Sequence, residues 1–313
     1  MISKWKLNNE YRISNDDFRS EKNIIKEYVS NNKNIKALLE LLDDPSSEVY
    51  YYVSENLLQH GEEIIPELEK VWESSLNEIL QERIENLIQE IQFHSMLNQL
   101  KEWKETGAND IFKGAFLIAK YQYPELKFET VQKSFDKLKR DAWLEINNNL
   151  TALEKTRVLN HIFFYLHGFS GNSTNIQAPQ NAFINHVLET KKGNPITLGI
   201  LYMSLANSLE IPVYGINLPK HFILGYVDPF YQSLTNEKEI LFYINPFNKG
   251  AVLGKREIDY FLKQQKIEPK KNYYYPCSNI EIIKKLVQNL IYSYEKLGYP
   301  EKVIAMKTIN KVF

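Results

Sequence analysis

Cysteine is almost absent from this chain, which contains only one, Cys277, in 313 residues. A single cysteine excludes an intrachain disulfide, and it excludes a zinc site built from the thiolates of one chain. The simplest compartment for such a protein is a reducing one, so we expect the cytoplasm. Residues 1–12 contain charged side chains and no apolar stretch of about 7–15 residues, so we expect no secretory signal.

Long apolar runs and an excess of one charge are missing as well. No window approaches about 18 uninterrupted apolar residues, so no transmembrane helix is predicted. The 38 basic and 39 acidic side chains give a formal charge of −1, which provides no global attraction to nucleic acid or anionic lipid. No glycine-rich phosphate loop is present, because Gly168 and Gly171 lack a preceding strand and a following Lys-Ser/Thr. We therefore expect no nucleic acid, no membrane and no cofactor.

The composition that remains is that of a soluble globular protein, with 43% hydrophobic and 25% charged residues. The length suggests about two domains. Residues 1–105 show four one-sided apolar stripes at helical spacing, so each predicted helix must bury one face against a neighbour. Successive hairpins of about 35–40 residues resemble HEAT-type repeats, and a generic helical bundle is the alternative. The stripes span residues 35–42, 49–57, 64–72 and 80–91.

The pattern changes from helices to strands within residues 106–271. Three helices are predicted between Asn109 and His167, and a loop follows. The segment Ile196–Ser208 is apolar nearly all round, which indicates a helix enclosed by other elements, with Asn194 as its N-cap and Pro195 at its first position. Alternation with a period of two then predicts three short strands, at residues 213–217, 221–227 and 240–245.

The last segment, residues 272–313, is predicted to be a helical hairpin. Ser278 and Glu281 form a capping box, and Gly298 and Pro300 mark the turn between the helices. Several positions match tetratricopeptide-like spacing. One hairpin is not an array, so it is either a cap on the core or an independent peptide-binding repeat. The whole chain is thus predicted to be α+β and mostly helical, with a small antiparallel sheet.

Four motifs in this order resemble the transglutaminase-like bacterial proteins of the Sir-B type. The motifs are HGFSGN, NAFINHVLETKKGNPITLGILYMSLANSLEIPVYGINLPKHFILGYV, FYINPFN and NIEIIKKLVQNLIYSY. The resemblance covers about half of the chain, residues 147–313. It implies a reduced papain/transglutaminase core followed by tetratricopeptide-like helices.

The resemblance also implies where a catalytic triad would lie. In the wider superfamily a cysteine begins the central helix, where the helix dipole stabilises a thiolate, and a histidine and an Asp or Asn follow on the strands. In this sequence the nucleophile position holds Pro195, whereas His221 and Asn245 occupy the other two positions. A hydroxyl nucleophile at Thr197 or Ser204 would need a strong, positioned base.

The remaining interpretations of this site are structural. His221 and Asn245 are expected to hydrogen-bond each other and to attach the sheet to the helix. The alternative is a degenerate cleft, formed by Asn194, Pro195, His221 and Asn245, in which free amides at the helix N-terminus attract a carboxylate. Cys277 is expected to be an ordinary thiol. No metal site is predicted, because the histidines lack carboxylates at ligand spacing.

Two further sequence features have plain explanations. The tyrosines at 273–275 show no basic interleaving and are interpreted as packing residues. The lysines at 263, 266, 270 and 271 are interpreted as a solvated face. The sequence therefore favours a non-catalytic interaction or regulatory module with a protein or peptide partner and an unknown oligomeric state. The alternative is an enzyme that acts on peptide or amide bonds with His221, Asn245 and a hydroxyl or water.

Overall fold

The structure is a computed structural model in which residues 35–230 and 239–313 are described. The chain divides into two compact units, Met1–Gln99 and Leu100–Phe313. The division of the sequence at residues 105 and 271 stays a prediction. Among the described residues, no helix has the length and apolarity needed to cross a bilayer.

The described part of the first unit consists of helices with a common apolar core. Helices α1 (Ile35–Glu40), α2 (Ser47–Leu58) and α3 (Ile65–Ser74) precede α4 (Glu78–Glu105), with short 3-10 turns at Leu41–Asp43 and Gly61–Ile64. The four predicted stripes contribute the buried side chains of this core, which include Leu42, Leu57, Leu68 and Ile84. Arg83 donates hydrogen bonds to the carbonyls of Leu42 and Asp44, so this cation binds backbone rather than a carboxylate.

The second unit contains the remaining helices. They are α5 (Ile111–Lys120), α6 (Phe128–Glu145), α7 (Ala152–Asn160), α8 (Ile184–Thr190), α9 (Pro195–Asn207), α10 (Lys255–Gln264), α11 (Asn279–Leu297) and α12 (Pro300–Asn310). Helix α7 begins with the predicted capping box of Thr151 and Glu154. It continues into a π-helical segment, His161–Leu166, that the periodicity did not predict. The wider π turn places Leu166 at the surface, 61% exposed, although its helical spacing from the buried Leu159 and Ile162 predicts a buried position.

The strands form two separate sheets. A two-residue parallel ladder joins β1 (Ser170–Gly171) to β2 (Lys192–Gly193). The larger sheet is antiparallel and contains β3 (Val213–Ile216), β4 (Ile223–Val227), β5 (Ile240–Asn245) and β6 (Ala251–Leu253) in chain order. The three predicted strands are confirmed, with β6 in addition. The predicted fold class, α+β and mostly helical with a small antiparallel sheet, is therefore correct.

Helix α9 lies at the centre of the second unit, as its uniform apolarity predicted. Its side chains from Ile196 to Met203 are buried. Gly199 lets the helix approach the sheet closely, because a Cβ at this position would lie 2.5 Å from the Phe222 ring. The helix therefore has a fixed orientation against β4, and its N-terminus is held beside the loops that precede and follow it.

The C-terminal hairpin packs within the second unit. Helix α11 begins at the predicted capping box of Ser278 and Glu281, and Gly298 ends it in the left-handed conformation. Leu286 and Leu290 are fully buried on its inner face. The Asn279 side chain donates to the Ala108 carbonyl, which attaches the start of the hairpin to the loop before α5. The hairpin is thus a cap on the core.

Candidate functional site

The candidate site is the N-terminus of the central helix, α9. Asn194 caps it, as predicted, and its Oδ1 accepts a hydrogen bond of 2.8 Å from the Thr197 amide. Pro195 occupies the first helical position, where the fixed φ suits the helix and the missing N–H costs nothing. Asn194 is 2% exposed, so this helix end is buried inside the unit.

The backbone amides at this helix end are largely used or absent. A helix N-terminus leaves four amides without intrahelical partners. Here the Asn194 amide donates to the Asn181 carbonyl, Pro195 has no N–H, and the Thr197 amide donates to Asn194. The Ile196 amide is the remaining one of the four. The end of α9 therefore has little capacity to hold a carboxylate, which weakens the expectation of an anion-binding cleft.

An asparagine network surrounds the same helix end. The side-chain Nδ2 of Asn194 donates a hydrogen bond to Oδ1 of Asn289 on α11 at 3.0 Å. The Asn172 side chain donates to Oδ1 of Asn181 at 2.9 Å, and Asn181 donates to the Asn175 carbonyl at 2.7 Å. Asn181 is 2% exposed. Neutral amides satisfy each other here without a charge, so the network fixes the helix end rather than supplying an acid or a base.

Sequence reasoning missed this network. The asparagines belong to three segments that have no common spacing, and the chain contains many asparagines outside them. One available signal was Asn172 in the quoted motif HGFSGN, since it follows β1 directly. Asn289 lies in the quoted motif NIEIIKKLVQNLIYSY, at one of the positions that match tetratricopeptide-like spacing.

Thr197 is fully buried, and its hydroxyl has no hydrogen-bond partner among the described residues. It lies two positions before Gly199, about 200° around the helix axis. Because Gly199 faces Leu224 of β4, Thr197 lies on the side away from the sheet. The hydroxyl thus lacks the positioned base that a nucleophile needs. Ser204, the other candidate, also has a buried hydroxyl without a partner.

His221 lies just before β4 rather than on it. Lys220 adopts a left-handed conformation with φ of 59°, and the His221 amide donates to the Leu218 carbonyl, so the chain turns at this point. The His221 ring packs edge-on against Phe261 of α10, with the ring centroids 4.6 Å apart. Partial burial and then the positive charge of Lys285 lower the pKa of His221. The imidazole is therefore neutral at pH 7.

Asn245 is occupied by the turn that follows it. Its Oδ1 accepts hydrogen bonds from the amides of Phe247 and Asn248, at 3.1 and 3.2 Å, and so caps the 3-10 turn Pro246–Asn248. In the described residues, no hydrogen bond joins His221 to Asn245, so the expectation of such a bond is wrong. The physical reason is local, because an Asn before a turn binds the nearest free amides.

Lys285 of α11 holds the loop that carries His221. Its ammonium group donates to Oδ1 of Asn217, to the Leu218 carbonyl at 2.9 Å and to the His221 carbonyl at 2.7 Å. Three N–H donors thus meet three acceptors on one loop. Burial lowers the pKa of Lys285 to about 8. Sequence reasoning missed this residue, because a lysine within an amphipathic helix is ordinarily solvated.

Cys277 lies beside the sheet and binds its backbone. The thiol donates to the Gly215 carbonyl at 3.3 Å, and the Cys277 amide donates to the same oxygen at 2.9 Å. Burial, and then the nearby Glu281 carboxylate, raise the pKa of this thiol to about 12. The thiol is therefore protonated at neutral pH and is a poor nucleophile. This geometry agrees with the expectation of an ordinary thiol.

Helix α11 connects the two halves of the candidate site. Lys285 and Asn289 are one helical turn apart and thus lie on one face. Lys285 binds the loop of His221, and Asn289 binds the cap of α9. We call this pair the α11 strap. No group of three metal-binding side chains occurs in the described ranges, 35–230 and 239–313.

Comparison with known proteins extends the resemblance. The chain is 33% identical to a UPF0162 protein of Xylella fastidiosa (strain Temecula1) over 147 residues, which cover 46% of this chain and 48% of that protein. It is 29% identical to a UPF0162 protein of Vibrio cholerae over 167 residues, 53% of this chain and 58% of that protein. The chain thus spans about half the length of the curated bacterial relatives it matches.

A mammalian relative matches a similar fraction of this chain. Human F-box only protein 21 is 26% identical over 145 residues, 46% of this chain and 22% of that protein. No solved structure matches the chain. The model of the transglutaminase-like superfamily matches residues 129–288, which contain α9, the larger sheet and the start of α11. This match covers half of the chain and includes Pro195, His221 and Asn245, so the chain belongs to the transglutaminase-like superfamily.

Proposed function

We propose that this chain is a non-catalytic member of the superfamily, of the Sir-B type, that acts as a protein-interaction or regulatory module. The observation that carries the proposal is the N-terminus of α9. Pro195 stands at the nucleophile position that the resemblance implies, and the backbone amides of Asn194 and Thr197 are bonded to the protein itself. Such a helix end can neither attack an acyl group nor stabilise the oxyanion that would form.

The other nucleophiles of the site support the same proposal. Thr197 is fully buried, so a peptide substrate does not reach its hydroxyl. Burial raises the pKa of Cys277, which leaves its thiol protonated. His221 packs on Phe261 and lies next to the ammonium of Lys285 rather than next to a nucleophile. Cys277 and His221 therefore have structural partners in place of catalytic ones, and Thr197 is inaccessible.

The relatives support a modular role. The shared region is about half of the bacterial UPF0162 proteins and about a fifth of F-box only protein 21. Stretches similar to part of this chain thus occur within proteins that differ in length. We propose that this domain binds a protein or peptide partner in the cytoplasm. The single free cysteine supports this compartment.

The test compares turnover by the wild-type protein and by one variant. Wild-type protein and His221→Ala are incubated with a panel of peptide and glutamine-amide acyl donors, and product is measured by mass spectrometry. We expect no product above the protein-free blank from either protein. Turnover by the wild type that disappears in His221→Ala, with the fold shown intact by circular dichroism, would overturn the proposal.

A second variant examines the helix end itself. We expect Pro195→Cys to remain inactive on the same donors, because the Thr197 amide stays bonded to Asn194 and His221 lies against Phe261. Its new thiol should react with iodoacetamide no faster than free cysteine. Acyl transfer by Pro195→Cys would show that the rest of the triad is competent, and it would contradict a purely structural role for His221.

A further inference from the structure

The charges of this chain are strongly segregated, although the total is −1. Residues 35–99 contain 14 acidic and 3 basic side chains, which give a net charge of −11. Residues 100–313 contain 20 acidic and 28 basic side chains, which give +8. Opposite charges of this size on one chain favour association between complementary surfaces.

Part of this positive charge lies on one exposed face of α10. Ile258 and Leu262 are buried, whereas Arg256, Tyr260 and Lys263 point to solvent at i, i+4 and i+7. Tyr260 is 65% exposed. We call these three residues the basic stripe. Lys220 extends it, because its amine donates to Gln265 just beyond the end of α10 at 3.2 Å.

The two acidic residues of α10 are hydrogen-bonded to neutral groups of the protein. Glu257 accepts a hydrogen bond from the Gly254 amide and thereby caps its own helix. Asp259 accepts a hydrogen bond from the Tyr274 hydroxyl. Both carboxylates keep their negative charge and are directed at neighbouring groups of the protein, while Arg256 and Lys263 lie on either side of Tyr260 on the exposed face.

Two tyrosines that follow α10 in the chain are poor platforms for a nucleic acid. Lys255 lies over the Tyr274 ring at 5.2 Å, and Lys271 lies over the Tyr275 ring at 5.5 Å. Lysine thus interleaves with the tyrosines in space, although not in sequence. Because these lysines cover one face of each ring, the rings are poor platforms for stacked bases.

Helix α4 carries a matching stripe of opposite charge. Glu78, Glu82 and Glu85 are exposed at i, i+4 and i+7, and Ile79 beside them is 65% exposed. We call the three glutamates the acidic stripe. Both stripes span about 10.5 Å along their helices, because each extends over seven residues. The apolar side chain of Ile79 complements the exposed ring of Tyr260.

We propose that the basic stripe of α10 binds the acidic stripe of α4 in a second copy of this chain. Each copy has one stripe of each kind, so the contact is heterologous and leaves one free stripe at each end. Association then continues beyond a dimer unless the ring closes. The proposal concerns surfaces outside the α9 site, and it does not depend on whether that site is catalytic.

The test measures molar mass by sedimentation velocity at about 100 μM protein, at low and at high salt. We expect a monomer of 36.8 kDa in about 0.5 M NaCl and a weight-average mass of at least twice this value in about 20 mM NaCl. Screening at high salt removes attraction between exposed charges. A monomer at both salt concentrations overturns the proposal, and so does a dimer that salt does not dissociate.

Charge reversal then identifies the surfaces. We expect R256E/K263E, and separately E78K/E82K, to be monomeric in low salt. The matched control is K133E/R140E, which makes the same charge change at the same i, i+7 spacing on exposed positions of α6 and should associate like the wild type. Equal loss of association in the control would show a general charge effect and contradict the assignment.

Mixing the two monomeric variants is the decisive measurement. R256E/K263E retains its acidic stripe and E78K/E82K retains its basic stripe, so each mixture contains one intact pair of stripes. We expect the mixture to associate in low salt, whereas each variant alone does not. Failure of the mixture to associate, with both variants folded by circular dichroism, overturns the proposal. Salt-sensitive binding of labelled single-stranded RNA that R256E/K263E abolishes, without self-association of the wild type, would assign the surface to nucleic acid instead.

Discussion

At the residue scale, the candidate site consists of groups that hold hydrogen bonds rather than groups that exchange protons. The buried side-chain amide of Asn194 donates to Asn289, that of Asn181 donates to the Asn175 carbonyl, and the Cys277 thiol binds a backbone carbonyl. Lys285 contributes a positive charge to the site, and all three of its N–H donors are bonded to one loop. These groups stabilise a conformation, and none of them is arranged for nucleophilic attack.

The thiol of Cys277 should react slowly. Because burial raises its pKa to about 12, the thiolate is rare at pH 7, and alkylation by iodoacetamide should be at least about tenfold slower than for free cysteine. The measurement is the rate of mass gain at pH 7. Protein unfolded in guanidinium is the control and should react at the rate of the free amino acid. A rate above that of free cysteine in the folded protein would reveal an activated thiol.

Lys285 should make stability depend on pH in the alkaline range. Its pKa is about 8 in the folded chain and about 10.4 when unfolded, so between these values the unfolded chain binds more protons. The free energy of unfolding contributed by this group therefore rises with pH from about 8 to 10, and it is constant below 8. We expect Lys285→Met to remove this rise, measured by urea unfolding at several pH values. Lys284→Met, the neighbouring position, should retain it.

At the scale of elements, α11 determines the geometry of the site. The α11 strap joins the loop of His221 to the N-terminus of α9, and the inner face of α11 packs in the core. The sequence separates these partners by more than 60 residues, and the capping box at Ser278 sets where α11 begins. A change in the position of α11 would therefore move both ends of the site together.

Removing one end of the strap should destabilise the second unit. Asn289→Ala leaves the buried Asn194 amide without its acceptor, so we expect a loss of about 1–3 kcal/mol in the free energy of unfolding. Gln288→Ala, at the adjacent exposed position, should change stability by no more than about 0.5 kcal/mol. Urea denaturation followed by circular dichroism measures both. Equal losses of unfolding free energy in the two variants would show that this hydrogen bond does not stabilise the second unit.

At the scale of the whole molecule, the C-terminal hairpin is part of the second unit, and charge is divided between the two units. The hairpin contributes Leu286 and Leu290 to the core, so the core is incomplete without it. The negative charge lies in residues 35–99 and the positive charge in residues 100–313. A chain with a total near zero thus has two surfaces of strong and opposite charge.

The hairpin should therefore not behave as a separate repeat. Leu290 is fully buried, so Leu290→Ala should reduce the free energy of unfolding by about 2–5 kcal/mol. Tyr292→Ala, which changes a side chain that is 48% exposed on the same helix, should cost far less. We expect a single cooperative transition of the second unit to shift in Leu290→Ala. An unchanged main transition with a new, early one would indicate an independently folding hairpin.

The sequence by itself determined the elements that depend on interactions between residues close together in the chain. The period of the apolar residues located α4, α9 and the three strands, and the caps at Asn194 and Ser278 followed from side chains that bind amides three residues away. The same local rule explains the failure at Asn245, since its side chain binds the next turn instead of His221. The sequence also places Pro195, which has no nucleophilic group, at the start of the central helix.

Only the tertiary structure decided which distant groups meet. The asparagine network and the contacts of Lys285 join segments that no sequence spacing relates, and their formation depends on how α11 packs against α9. The same holds for the lysines that cover Tyr274 and Tyr275, which are separate runs in the sequence and interleave only after folding. Hydrogen bonds and charge pairs act over a few ångströms in space, so the packing of apolar faces brings these partners together.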